Sequence, residues 1–190
     1  MVAYALDMDS GVVELTFDEI VAKDSLDTTS ITLQYAKYAG TSSEVYSIKN
    51  ATNDVTNEND LKLRFTLGQT DMNRIKGLTG LAISPDTTFL RSTSNLVTDT
   101  AGNPMTKIVD GSAMKIASVN YTYDTTSPSC TSYVLQSNGY LIMQFSETVD
   151  YNTFNQSALR ISAGPSSSLF YFLSSESIVY QPQYDTIISI

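Results

Sequence analysis

The stretch at residues 11–34, GVVELTFDEIVAKDSLDTTSITLQ, is written a second time at residues 139–162 as GYLIMQFSETVDYNTFNQSALRIS. Aligned without gaps, Val13, Leu15 and Phe17 fall on Leu141, Met143 and Phe145, and Glu19 falls on Glu147. Further along, Val21, Leu26, Ile31 and Leu33 fall on Val149, Phe154, Leu159 and Ile161. The neighbours of these apolar positions drift: Glu14 aligns with Ile142, and Thr16 with Gln144. Successive side chains of a strand point to opposite faces, so a conserved apolar face beside a free polar one marks two diverged copies of a β module. Upstream, Tyr4 and Leu6 match Tyr133 and Leu135 after one deletion. Function is therefore to be read at the level of a tandem array.

The copies are unequal. The first continues past Leu61–Phe65 into LGQTDMNRIKG, LAISP, TTFLRS, VTDTAGNPM and AMKIASVNYTY. In the second, YDTIISI matches the region of ENDLKLRF near Asp60, and no counterpart of the later half follows. Two explanations stand side by side and are compatible. The chain is a piece of a longer repeat protein, or a half-domain is completed by strands from another subunit.

Period-2 alternation dominates, as in Val13–Phe17, Ile31–Tyr35 and Leu61–Phe65, and it predicts half-buried strands and an all-β fold. Asp9-Ser10-Gly11 and Ser137-Asn138-Gly139 supply the turn chemistry between the first two strands of each copy. One short helix is expected at Asp71–Lys76, capped by Thr70 and closed by Gly77, as a crossover between two sheets. Domain one spans residues 1–122, a short stiff linker containing Pro128 spans 123–129, and a partial domain two spans 130–190.

The formal charge is −9, with Lys and Arg scattered along the chain, so no basic stripe is available to neutralise nucleic-acid phosphates. No apolar run is long enough for a membrane-spanning helix, and no membrane insertion is expected. Ser and Thr form about a quarter of the residues, an excess typical of secreted surface proteins. The opening MVAYALDMDS has no basic n-region and does not read as a secretory signal, so an extracellular protein with this sequence is expected to be a mature or partial chain. Sequons occur at Asn50, Asn120 and Asn155, two in turns and Asn120 at a strand edge, and N-linked glycans are expected there. Cys130 stands alone. It reads as a small buried hydrophobe at a strand start, or as a partner for a cysteine outside these residues.

At LTFDEIV and QFSETV, with a D-T-T-S-P linker and a V-T-D-x-x-G-N segment, the chain resembles a known repeat. It is similar to the tandem immunoglobulin-like repeats of algal and protist surface fibres of the mastigoneme type, and to bacterial immunoglobulin-like modules of adhesins and S-layers. The resemblance covers most of residues 3–128 and the available part of copy two. It implies tandem immunoglobulin-like β-sandwiches, the second incomplete, in an extracellular, noncatalytic, load-carrying or adhesive protein.

There is no histidine, which removes the commonest general base and the usual zinc sites. No phosphate-cradling glycine motif is present. Paired carboxylates remain, yet of Asp18-Glu19 only the glutamate recurs, as Glu147. A glutamate repeated with the fold reads as structural, ending its strand by accepting hydrogen bonds from the next turn. No enzyme activity and no cofactor are expected. Calcium is the one ion to weigh, with Asp7, Asp9, Asp99, Asn103 and Asp124 in loops at one end of the sandwich. The plainer reading of these residues is solvated turn aspartates.

Copy two is the more apolar on the face that should be wet. Tyr140 and Ile142 replace Val12 and Glu14, and Leu169–Leu173, Ile178-Val179-Tyr180 and Ile187–Ile190 are nearly continuous apolar runs. Such runs suit strands covered on both faces. Tyr140, Ile142, Phe170, Phe172, Ile188 and Ile190 are therefore the expected self-assembly surface, packing subunits head to tail into a homo-polymer. The leading expectation is an extracellular filament or surface-coat subunit, glycosylated. The alternatives are an adhesin module that grips a glycan or protein, and an accessory domain of a larger surface hydrolase.

Overall fold

The computed structural model describes residues 1–54, 56–164, 168–173 and 185–190. The apolar run Ile178-Val179-Tyr180 lies outside the described residues. The chain divides into two compact units, Met1–Thr126 and Ser127–Ile190. Unit one holds β1 (Ala3–Asp7), β2 (Val12–Val21), β3 (Ile31–Gln34), β4 (Val45–Ser47), β5 (Ala51–Asn53) and β6 (Asp60–Leu67). It continues with α1 (Gln69–Lys76), β7 (Phe89–Ser92), β8 (Met114–Lys115) and β9 (Tyr121–Thr122). Unit two holds β10 (Cys130–Leu135), β11 (Leu141–Val149), β12 (Arg160–Ser162), β13 (Phe170–Phe172) and β14 (Asp185–Ser189). The described chain is mostly β, in several sheets.

Unit one is built on two sheets, in the orders β5-β6-β2-β1-β9 and β4-β3-β7-β8. Both feed a single core. Tyr4, Leu15 and Phe65 come from the first sheet, and Ile31, Leu33 and Leu90 from the second. The alternation seen in the sequence sets this up: along β2, Val13, Leu15 and Phe17 are buried while Val12, Glu14 and Thr16 between them are not. Burying such side chains contributes about 1.5–3 kcal/mol each. The one α-helix among the described residues, α1, runs between the last strand of the first half and β7, linking the two sheets.

The cap of α1 differs from expectation. Gly68, not Thr70, is the N-cap, and the helix starts at Gln69 without a side-chain cap. The Gly68 N–H is already held by the Asn50 carbonyl at 2.7 Å. A Cβ at Gly68 would lie 3.1 Å from that residue's side chain. This close approach sets where the helix begins and leaves Thr70 inside it. Gly77 does close it, as expected.

Among its described residues, unit two repeats elements of the first half of unit one in the same order. Short 3₁₀ turns at Lys23–Ser25 and Thr28–Ser30 recur at Tyr151–Thr153 and Gln156–Ala158. Asp27 caps one by accepting from Thr29 N–H, and Asn155 does the same for Ser157 N–H. Registers agree too: Tyr4 pairs with Leu15 and Leu6 with Val13, while Tyr133 pairs with Met143 and Leu135 with Leu141. Gly11 and Gly139 both take positive φ in the intervening turn. Against its neighbour, β2 slips register between Thr16 and Val21, which ends opposite Asp60. Against β14, β11 slips between Gln144 and Val149, which ends opposite Asp185. One β-bulge thus recurs in both units, and β14 is the counterpart of β6.

The bulge corrects the expected role of the repeated glutamate. Glu19 and Glu147 do not end their strands, because each strand runs on to a valine, Val21 or Val149. Glu19 is exposed and Glu147 buried, so the two copies use the residue differently.

Candidate functional site

The loop aspartates are occupied by their own turns. Asp7 accepts the Asp9 and Ser10 amides at 2.8 and 3.2 Å. Asp9 accepts the Thr125 amide and hydroxyl at 2.9 and 2.8 Å and the Thr126 amide at 3.0 Å. The Thr125 N–H above all holds the Asp9 carboxyl well below the usual range. These bonds also tie residues 125 and 126, expected to lie in the short stiff linker, into unit one. Asp99 closes its turn on Ala101 and Asn103, and the Asn103 side chain is the main reason its pKa is lowered. Asp124 faces Lys76 at 2.9 Å. Among the described residues, no group of three or more His, Cys, Asp or Glu side chains is arranged to hold a metal ion.

The three sequons differ in what their amides do. Asn50 is exposed at the start of β5. Asn155 is exposed, with its side-chain oxygen accepting from Ser157 N–H and its amide nitrogen directed elsewhere. Asn120 sits in a 3₁₀ turn before β9, and its side-chain nitrogen donates to the Tyr4 carbonyl at 3.3 Å. A glycan on that nitrogen would take one of its two hydrogens and crowd this contact, so Asn120 is the least suited of the three.

Two polar anchors escaped the sequence reading. Asp71, in the first turn of α1, is fully buried and accepts from the Tyr46 hydroxyl at 2.8 Å and from the Lys49 and Asn50 amides at 2.7 and 2.8 Å. It ties α1 to the segment between β4 and β5. Asp110 accepts from Gln34 Nε2 and from the Ala39 and Gly40 amides, each at 2.9 Å. These bonds, the Ala39 N–H first, lower its pKa to about 2. Nothing in the spacing of either aspartate signals partners that far along the chain.

The largest departure from a closed module is in unit two. Among its described residues, the buried hydrophobic ones are Leu141, Met143 and Ile188, with Phe145, Phe154, Leu159 and Ile190 packed partly against them. Around them lies an apolar cleft of about 410 Å³, lined by Tyr133, Leu135, Met143, Phe154, Leu159 and Ile161 among others. Of the expected self-assembly residues, Tyr140, Phe170 and Phe172 are exposed, and Ile142 is half-buried. Ile188 is a correction. At 1% exposure it is the inward counterpart of Leu63, opposite Met143, and Ile190 packs beside it. Cys130 is a second correction: it is exposed at the start of β10, not buried.

Compared with known proteins, the chain matches no family model, no curated protein and no solved structure.

Proposed function

We propose that this protein is a noncatalytic, extracellular structural protein, a subunit of a surface fibre built from immunoglobulin-like modules repeated end to end. The observation that carries this reading is the recurrence of one bulged-strand unit, with its capped turns, in both halves of the chain. Stacked β modules each contact only their neighbours, the arrangement that suits an extended, load-bearing chain. Glycans at Asn50 and Asn155 fit the same reading, since both side chains are exposed. Electron microscopy of the protein isolated from its natural source tests it. Regular filaments or beaded strings with a sandwich-sized repeat are the expected result. Dispersed compact particles at high concentration overturn it.

A second reading, an adhesin arm that grips a glycan, is favoured by Tyr38. Its exposed ring lies against Gly40, where an added Cβ would sit 3.4 Å from it, and near Gly111 at 3.8 Å. A flat, exposed aromatic ring is a stacking platform for a sugar face. Loss of glycan binding on Tyr38→Ala is the outcome that would favour this reading.

A further inference from the structure

The second sheet of unit one carries a groove of about 390 Å³ on its outer side, within the size range of small-ligand clefts. Strand alternation builds it. Ile31 and Leu33 of β3 and Leu90 of β7 turn into the core, so Thr32 and Arg91, paired across the two strands, turn outward. One step along, Thr93 N–H donates to the Ser30 carbonyl at 3.1 Å, and the Thr93 hydroxyl donates to Ser30 Oγ at 2.8 Å. Beyond β7, Ser92 and Ile108 form an antiparallel bridge. That register sets Lys107 beside Thr93 and Val109 beside Arg91, and so brings two cations into one groove.

These cations are uncommitted. Among the described residues, neither the Arg91 guanidinium nor the Lys107 ammonium makes an ion pair or hydrogen bond. Lys62, Lys76 and Lys115, by contrast, each meet a carboxylate at 2.6, 2.9 and 2.6 Å. Asp110 also lines the groove, but its carboxylate is spent on Gln34 Nε2 and the Ala39, Gly40 and Gly111 amides. The hydroxyls have spare capacity of one kind. A hydroxyl carries one donor hydrogen and two acceptor lone pairs. Ser30 gives its hydrogen to Asp27 and accepts from Thr93, while Thr93 gives its hydrogen to Ser30 and accepts from Asn95 N–H. Each keeps one acceptor lone pair.

We propose that this groove binds an acidic glycan. Arg91 and Lys107 hold a uronate carboxylate or a sulfate ester, and Ser30 and Thr93 accept from neighbouring sugar hydroxyls. The proposal rests on the glycan-binding reading above and gives it a ligand class. Tyr38, which carries that reading, lies near Gly111, the residue after Asp110 at the end of the groove. The planar guanidinium pairs with an oxyanion through two parallel hydrogen bonds, and the ammonium adds a point charge. Nucleic acid is a poor occupant, because its dense phosphate charge is repelled by a chain of formal charge −9. A phosphopeptide satisfies the cations but brings no array of hydroxyl donors for the two acceptors.

Calorimetric titration of residues 1–190 with polygalacturonate, dextran sulfate and neutral dextran at low salt tests this. A charged glycan is expected to bind more tightly than neutral dextran, and the better of the two charged probes tells carboxylate from sulfate. Arg91→Gln with Lys107→Gln is expected to weaken that binding by about tenfold or more. Lys23→Gln with Arg74→Gln removes the same charge outside the groove and should leave it unchanged. Lys107→Gln alone, at an exposed position, should also weaken binding, and it keeps the test decisive if the first double variant does not fold. Equal losses in the two double variants overturn the proposal, since the attraction would then be one of overall charge. So does a phosphoserine peptide that binds the groove more tightly than either charged glycan. Neutral dextran binding as tightly as the charged probes, and lost on Tyr38→Ala, overturns the proposal and keeps the glycan-binding reading. Binding of none of the three removes both.

Discussion

Asp71 shows how much one side chain holds in unit one. A buried carboxylate is tolerable only with its lone pairs engaged, and here the Tyr46 hydroxyl and two backbone amides engage them. Asp71→Ala leaves those donors buried and unpaired and is expected to cost about 3 kcal/mol, whereas Tyr46→Phe removes one bond of three and should cost about 1 kcal/mol. Urea unfolding of the two variants checks the ratio. The phenols set the alkaline limit. Burial first, then the bond to Asp71, pushes Tyr46 up to about 12, and burial pushes Tyr121 up to about 12. Both folded values lie above the ordinary value near 10. Their contribution to stability is therefore complete below pH ~10 and is lost as pH rises through about 12. Tyrosinate absorbance should show a late phase, in which the Tyr46 and Tyr121 phenols ionise only as the fold opens. On the acid side, Asp110 is depressed to about 2, so its hold on the 36–40 loop is present above the ordinary carboxylate value and lost as pH falls through about 2. The amide shifts of Ala39 and Gly40 should titrate together near that value.

At the scale of the element, paired strands in the two units share sequence but not surroundings. In β1, Tyr4 is enclosed and donates its hydroxyl to the Thr88 carbonyl at 3.0 Å. In β10, Tyr133 has the same place in the ladder and lies in solvent. Tyr4→Ala should cost about 4 kcal/mol, while Tyr133→Ala should stay within about 0.5 kcal/mol. Denaturant titration of each variant decides this, and equal costs would mean that Tyr133 is covered in solution. The bulge behaves differently. It recurs between Thr16 and Val21 and between Gln144 and Val149, so it belongs to the module and does not depend on what covers it. Bulges bend a strand and increase its twist.

For the whole molecule, the difference between the units is one of buried surface. Unit one closes two sheets over a continuous core, and unit two encloses Leu141, Met143 and Ile188 among its described residues. Stability scales with apolar area removed from water, so chemical denaturation should show two transitions, with unit two opening first. Tyrosine fluorescence combined with Cys130 labelling separates them, since Cys130 reports on unit two. A single cooperative transition would mean that the units stabilise one another.

The strands, the turn at Gly11, the helix near Asp71 and the existence of two copies were legible in the chain. Each is a local matter of alternation, turn chemistry or self-similarity, written within a few residues or by comparing one stretch with another. The roles of Asp71, Asp110 and Asn120 were not legible, because their partners lie 21 or more residues away along the chain. Nor did apolar character alone separate Ile188 from Phe170. Both stand in apolar strands, and only register, Ile188 opposite Met143, turned one into the core while the other stayed in solvent. The repeat itself comes from the sequence. Which of its faces is closed was decided by tertiary structure, because burial belongs to the elements that meet across a core and not to the strand that presents the side chain.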